Sequence, residues 1–386
     1  MSKVFIEETS LSAIGDAIRA KTGKSDLLSP AQMVTAIGSI TGGGSGGDLE
    51  PIVLTGNCKY GAASGIGKAA VETFDISTES ITNCNNMFYN NKAEAINFDI
   101  NLASNCTDFG YMFSGAGIKY PPKVVGTFSN QTSNYSNSIT LGYLFYGCEK
   151  LVEFPYDYFY SWGGLEYLES TKPYTSSREC MFYNCYALRK LPDLAPLVNS
   201  ANSSSGFYYS AFNNCYALDE IILPVATTAK LNGTTAFYNT FANCSRLKKM
   251  VFETKEDGSP KVIESPGYWK TTVLDFSKCG YAGYSYFITK YGIGTDKEVN
   301  SDATYATLKN DPDYWTTKAD YSRYNHDSAV ETLNSLPDVV AMADGAVNTI
   351  KFYGSAGSKT DGGAINTLTE EEIAVATARG WTVTFV

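Results

Sequence analysis

One short motif recurs through the middle of the chain and limits what that chain can become. The segments LFYGCEKLVEFP (144–155), MFYNCYALRKLP (181–192), AFNNCYALDEIILP (211–224) and TFANCSRLKKMVF (240–252) share a Phe, a Cys three residues on and a Leu three after that. The sets are Phe145, Cys148 and Leu151; Phe182, Cys185 and Leu188; Phe212, Cys215 and Leu218; and Phe241, Cys244 and Leu247. The Phe positions lie 37, 30 and 29 residues apart, and degenerate copies stand at MFYNN (87–91) and MFSGAG (112–117). The spacing puts three apolar groups on one side of a tight turn. A short β-run such as Ile221-Ile222-Leu223 follows it. No unit of this size buries its own face, so the units must stack. The expected fold is an irregular α/β repeat solenoid, with Cys as the small apolar filler of its tight interior.

Composition removes several chemistries. The single histidine, His326, excludes any multi-His metal site and leaves one residue for a Ser-His or Cys-His mechanism. It stands beside Asp327 at the start of a helical pattern, which suits a polar cap or surface role. Nine cysteines without a C-x-x-C pair read as reduced, buried thiols. Equivalent cysteines of stacked units form a line rather than a tetrahedron, so no metal is expected, and no other cofactor is implied. A net charge of −10 argues against nucleic acid and against an anionic membrane surface. The start of the chain, MSKVFIEETSLSAIG, has no apolar secretory core, and no stretch is long and apolar enough to insert in a membrane. Tyrosine is abundant, 28 of 386 residues, alongside many small polar residues, a palette suited to recognition.

The flanks read differently. Leu11, Ile14 and Ile18 fall at helical spacing, and Gly23 follows them. A second helix starts with Ser29, Pro30 and Gln32 and carries Met33, Ile37 and Ile40 on one side. Helices this short need a partner surface, either another chain or the rest of this one. The run TGGGSGG (41–47) reads as a flexible linker. At the other end, HDSAVETLNSLPD (326–338) reads as a helix with Ala329, Leu333 and Leu336 inward, and NTIKFYG (348–354) as a strand. The last segment, LTEEEIAVATARGWTVTFV (368–386), reads as a helix capped by Thr369 and ended by Gly380, then a strand. The organisation is thus 1–40, a helical attachment module; 41–48, the linker; 49–254, the repeat array; 255–325, aromatic loops inserted in the array; and 326–386, helix–strand units that cap it.

Two resemblances follow from these residues. LSAIGDAIRAKTGKSDLLSPAQMVTAIGSI (11–40) resembles a segment near the N-termini of tail-fibre and baseplate proteins in phages of Gram-positive bacteria. AFNNCYALDEIILP is similar to the unit of BspA-like leucine-rich repeats of bacterial and phage surface proteins. The resemblance implies a leucine-rich-repeat-like solenoid on a virion protein at the distal tail. It also implies attachment to other tail or baseplate proteins through the N-terminal helices, a homotrimer, and binding to a host cell-surface receptor, a cell-wall glycan or surface protein. It brings no catalytic residues. A purely structural baseplate or fibre part is the alternative, and polysaccharide hydrolysis is a further one, since it needs only two carboxylates; Glu153 and Asp157 are the first candidates.

The candidate ligand contacts are aromatic. In PYDYFYSW (155–162), Tyr156, Tyr158, Tyr160 and Trp162 alternate, so an extended chain would put all four on one face. Such rings either stack on a ligand or pack between units. Tyr208, Tyr209, Tyr314 and Trp315 are weaker candidates of the same kind. Other motifs fail on inspection. In GAASGIGKAA (61–70), Ala62 and Ala69 stand where a phosphate loop needs Gly and a hydroxyl, and Ser358 breaks GSAGSKT (354–360).

Overall fold

The computed structural model describes residues 4–6, 52–58, 76–106, 108–127, 141–163, 165, 179–198, 208–225, 236–244, 247–263, 269, 271–277, 279, 324, 326–339, 347–352 and 368–385. The two N-terminal helices, the Gly-rich linker, both failed phosphate-loop motifs, and Tyr314 and Trp315 lie outside these residues.

Within them the strands are short and pair in parallel. β1 (Val4–Ile6), β2 (Ile52–Asn57) and β3 (Ile76–Asn83) form one sheet. β4 (Ile100–Asn101), β5 (Val124–Thr127) and β6 (Trp162–Gly163) form a second, joined to the first by an Ile81–Leu102 bridge. Helix α1 (Ala195–Val198) precedes the pair β7 (Glu220–Leu223) and β8 (Lys249–Phe252). β9 (Val273–Asp275), helix α2 (His326–Ser335), β10 (Asn348–Phe352), helix α3 (Glu370–Thr377) and β11 (Trp381–Phe385) complete the order, with β10 between β9 and β11.

The F-x-x-C turns explain why the strands are parallel and in step. At six turns the residue two before the Phe and the residue two after it both have positive φ: Asn86 and Asn90, Tyr111 and Gly115, Tyr143 and Gly147, Cys180 and Asn184, Ser210 and Asn214, Asn239 and Asn243. This left-handed conformation favours Gly and is tolerated by Asn. It turns alternate amides along the stacking direction. The N–H groups of Tyr143, Phe145 and Gly147 donate to the carbonyls of Glu179, Met181 and Tyr183 in the next turn, at 2.9, 2.9 and 2.7 Å. Those of Cys180, Phe182 and Asn184 repeat the pattern on Tyr209, Ala211 and Asn213. The amides between them close the turn itself, as Tyr146 does on Tyr143 and Cys148 on Phe145. Each turn therefore satisfies half its donors internally and half on its neighbour, which is what a buried backbone requires.

The side chains add three further ladders. Phe88, Phe113, Phe145, Phe182, Phe212, Phe241, Phe276, Phe352 and Phe385 meet ring to ring in that order, with centroids 4.6–6.5 Å apart. All but Phe385, which is 38% exposed, are buried. The Cys148, Cys185, Cys215 and Cys244 thiols donate to the carbonyls of Phe113, Phe145, Phe182 and Phe212, one turn back, at 2.9–3.2 Å. Asn243 donates to Asn214, and Asn214 to Asn184, each at 2.7 Å. Leu151, Leu188, Leu218 and Leu247 close the core. Phe276 and Cys279 are a further F-x-x-C copy inside the segment 255–325, which the sequence assigned to inserted loops.

At the C-terminal end, Ala329, Leu333 and Leu336 are buried as the helical spacing predicts. Helix α3 starts in a full capping box, Thr369 with Glu372, and Gly380 has φ +81°. His326 bridges the helices, its Nδ1 3.3 Å from Asp327 and its Nε2 3.2 Å from Glu372. No described helix is long and apolar enough to cross a membrane.

Candidate functional site

The four alternating aromatics do not share one face as an extended chain would make them do. Residues 158–161 form a 3₁₀ turn, which rotates successive side chains off the two-residue period. Tyr158 and Trp162 turn inward, 5% and 1% exposed, and pack with Phe154, Phe159 and Phe109. Tyr158 donates to the carbonyl of Pro122 at 3.1 Å. Tyr156 and Tyr160 turn outward, 66% and 57% exposed. The expected single face of four rings is replaced by two rings outside and two in the core.

Tyr208 is buried for a related reason. It stands four residues before Phe212, the place taken in other turns by Cys84, Phe109, Leu141 and Phe237, all buried. Its ring stacks on Phe237 at 4.7 Å. Tyr209, one position on, is half-buried and stacks on Tyr238 at 5.3 Å.

Tyr156 lines a cleft of about 400 Å³ on the strand side of the array, and Tyr160 hydrogen-bonds Asp193 on its border. The cleft forms because the β-runs of successive units pair in parallel and alternate in and out. In β7, Ile221 and Leu223 are buried while Glu220 and Ile222 face out. Lys190 comes from the run that bridges Glu153, and Glu253 follows β8, its amide donating to Leu223 at 2.8 Å. Asp193 organises the tyrosine wall. Its Oδ1 accepts the Ala195 amide at 2.8 Å and so starts α1, while its Oδ2 accepts the Tyr160 hydroxyl at 2.7 Å. Its own amide donates to the Tyr156 carbonyl at 2.8 Å. The hydrogen bond to Asp193 pushes the Tyr160 phenol up to about 12, and the charge of Asp193 raises Tyr156, so both remain neutral. Among the described residues neither ring stacks on another, which leaves their faces open. Glu220 and Glu253 each give one carboxylate oxygen to a lysine, Lys249 at 2.7 Å and Lys261 at 2.6 Å. Glu153 and Asp157, the candidates for hydrolysis, are both exposed, Asp157 preceding the 3₁₀ turn.

A second aromatic surface was not anticipated from the sequence. Along the turn edge, Tyr111 stacks on Tyr143 at 4.5 Å and Tyr146 on Tyr183 at 5.1 Å, with Tyr89, Tyr111 and Tyr238 exposed. The Tyr143 hydroxyl donates to Glu179 at 3.2 Å. Tyr111, Tyr143, Tyr146 and Tyr183 thus use ring faces on one another. The signal was present: each is fixed by its offset from a motif Phe, three or two before it or one after.

All nine cysteines are free and buried, and no cluster of His, Cys, Asp and Glu among the described residues has the geometry to hold a metal ion. In comparisons with known proteins, the chain matches no family, no curated protein and no solved structure.

Proposed function

We propose that the chain is a phage tail protein of the distal virion that binds a host cell-surface receptor through a leucine-rich-repeat-like array. The N-terminal helices would dock on other tail or baseplate proteins and the assembly would be a homotrimer, as the resemblance of residues 11–40 implies. The observation that carries the receptor reading is the pair of outward rings, Tyr156 and Tyr160, the first lining a cleft bordered by carboxylate and ammonium groups and the second hydrogen-bonded to Asp193 beside it. A core keeps its aromatic faces packed, whereas a recognition surface leaves them for a ligand. The reading invokes no catalytic residue, metal or cofactor.

The test is binding of the purified protein to whole cells of Gram-positive strains, with and without residues 11–40, a deletion that keeps β1. Saturable, strain-selective binding that survives the deletion supports recognition by the array. Absence of binding to every strain, with assembly only onto other tail proteins, would retire it in favour of a structural tail component, in which the turn-edge tyrosines meet neighbouring subunits. Release of reducing ends from purified cell walls would instead favour hydrolysis.

A further inference from the structure

We infer that the cleft beside Tyr156 and Tyr160 takes an uncharged saccharide chain rather than a polyanion or a protein. This deepens the receptor reading and rests on it. Three features select the ligand class. The first is ring presentation: Tyr156 and Tyr160 are exposed and among the described residues stack on no other ring, while Tyr111, Tyr143, Tyr146 and Tyr183 stack in pairs. A pyranose offers a flat patch of C–H groups that lies on such a face, with the partly positive hydrogens over the negative ring centre. The second is the supply of acceptors. Among the described residues the lysine pairs engage Glu220 Oε1 and Glu253 Oε2, which leaves Glu220 Oε2 and Glu253 Oε1. A carboxylate of this kind accepts from sugar hydroxyls, and the charge strengthens each bond. Lys190, on the same wall, supplies a donor for a hydroxyl or ring oxygen.

The third feature is charge. Asp193, Asp219, Glu220 and Glu253 border the cleft against Arg189 and Lys190. With Lys249 and Lys261 paired to Glu220 and Glu253 the wall is locally balanced, so an incoming phosphate or carboxylate chain finds no positive excess to hold it and meets the net charge of −10 on the whole protein. A neutral chain meets no such barrier. Ile222, 51% exposed, gives the cleft an apolar patch against which a charged group would lose hydration without a partner.

The experiment uses the full chain and whole cells of a strain that wild-type protein binds. Cells are treated with periodate, which cleaves vicinal diols of sugars, or with protease, and binding is measured at low and high salt. Wild-type binding should vanish after periodate, persist after protease and change little with salt, because no ion pair to the ligand is broken. Tyr156→Ala and Tyr160→Ala should each weaken binding about tenfold or more, the loss expected when a ligand's stacking partner is removed. Tyr156→Phe keeps the ring and should bind nearly as wild type. Circular dichroism of each variant confirms that it folds. Loss after protease with persistence after periodate overturns the saccharide and leaves receptor binding standing. Steep weakening by salt, with loss on Lys190→Ala, points to a polyanion and overturns the inference likewise. Cell binding unchanged in both Tyr→Ala variants moves the receptor site away from this cleft. A wild-type protein that binds no cells overturns the receptor reading itself.

Discussion

Replacing Phe182 with alanine tests whether the phenylalanine ladder is the core of the array. The ring is 1% exposed and lies between Phe145 and Phe212, 5.9 Å from each, with the edge of Phe154 at 5.5 Å. Truncation removes its burial and opens a hole. The neighbours cannot close that hole, because each is stacked on its far side as well, Phe145 on Phe113 and Phe212 on Phe241. For a ring in such a setting the expected loss is about 3–5 kcal/mol. It should fall on the turns next to 182, since stacked units depend on their nearest neighbours. Tyr183→Ala is the internal control. It sits one residue on in the same turn, is half-buried and stacks on Tyr146 at 5.1 Å, so its loss should be about 0.5–1.5 kcal/mol. Urea unfolding followed by circular dichroism compares the two, and amide exchange locates the damage. A Phe182→Ala midpoint equal to that of Tyr183→Ala would refute the core assignment.

Burial pushes the thiols of Cys58 and Cys180 up to about 11 and that of Cys279 to about 12. At pH 8 only about one in a thousand is thiolate at a pKa of 11, and all nine thiols are buried away from reagent, so a thiol reagent should label none in the folded protein and all nine in denaturant; rapid native labelling, or fewer than nine in urea, contradicts this. Gly147→Ala isolates the cost of a side chain at φ +69°, about 1–2 kcal/mol, because the nearest atoms to the new Cβ stand 3.8 Å away. Gly115→Ala adds a clash with Asn90 Oδ1, 2.1 Å from that Cβ, so it should lose more stability in the same unfolding assay; equal losses would be evidence against the packing of Asn90. Glu372 is held below the usual carboxylate range by the Thr369 amide and by His326, so its contribution is present at neutral pH and is lost as pH falls below about 4.5 and through its lowered value. Amide protection factors in α3, exchange rates corrected for their intrinsic pH dependence, should therefore fall on acidification in the wild type, whereas Glu372→Gln should show lowered protection already at pH 7.

The core was legible where the sequence repeats itself. F-x-x-C-x-x-L fixed the inward side of each turn because one motif meets one environment many times, and the cap signals at Thr369 and Gly380 mark where α3 begins and where its turn ends. The same register, extended by counting from the Phe, would have found more. It places Tyr208 inside, puts Phe276 and Cys279 in the series through the words DFSKC, and sets the turn-edge tyrosines outside. The alternation rule failed at 155–162 because it presumes a strand, and Pro155 followed by Asp157 is the chemistry of a turn.

The cleft was not legible at all, for a different reason. Tyr156, Lys190, Glu220 and Glu253 come from four successive units, and nothing local in any one of them marks a site. What brings them together is the backbone exchange between turns, in which alternate amides leave their own unit for the next. Insertions of differing length between motifs therefore do not disturb the register of the strands that follow, and side chains far apart in sequence meet at strand spacing. The conserved geometry of the turn and the freedom of the outward positions are two sides of one constraint. The turn is fixed by its buried Phe, its thiol donor and its two left-handed residues, while Glu220, Ile222 and Lys190 are set only by which way a β-run alternates. A repeat of this kind holds its core constant and leaves its outward face free to carry a ligand's chemistry.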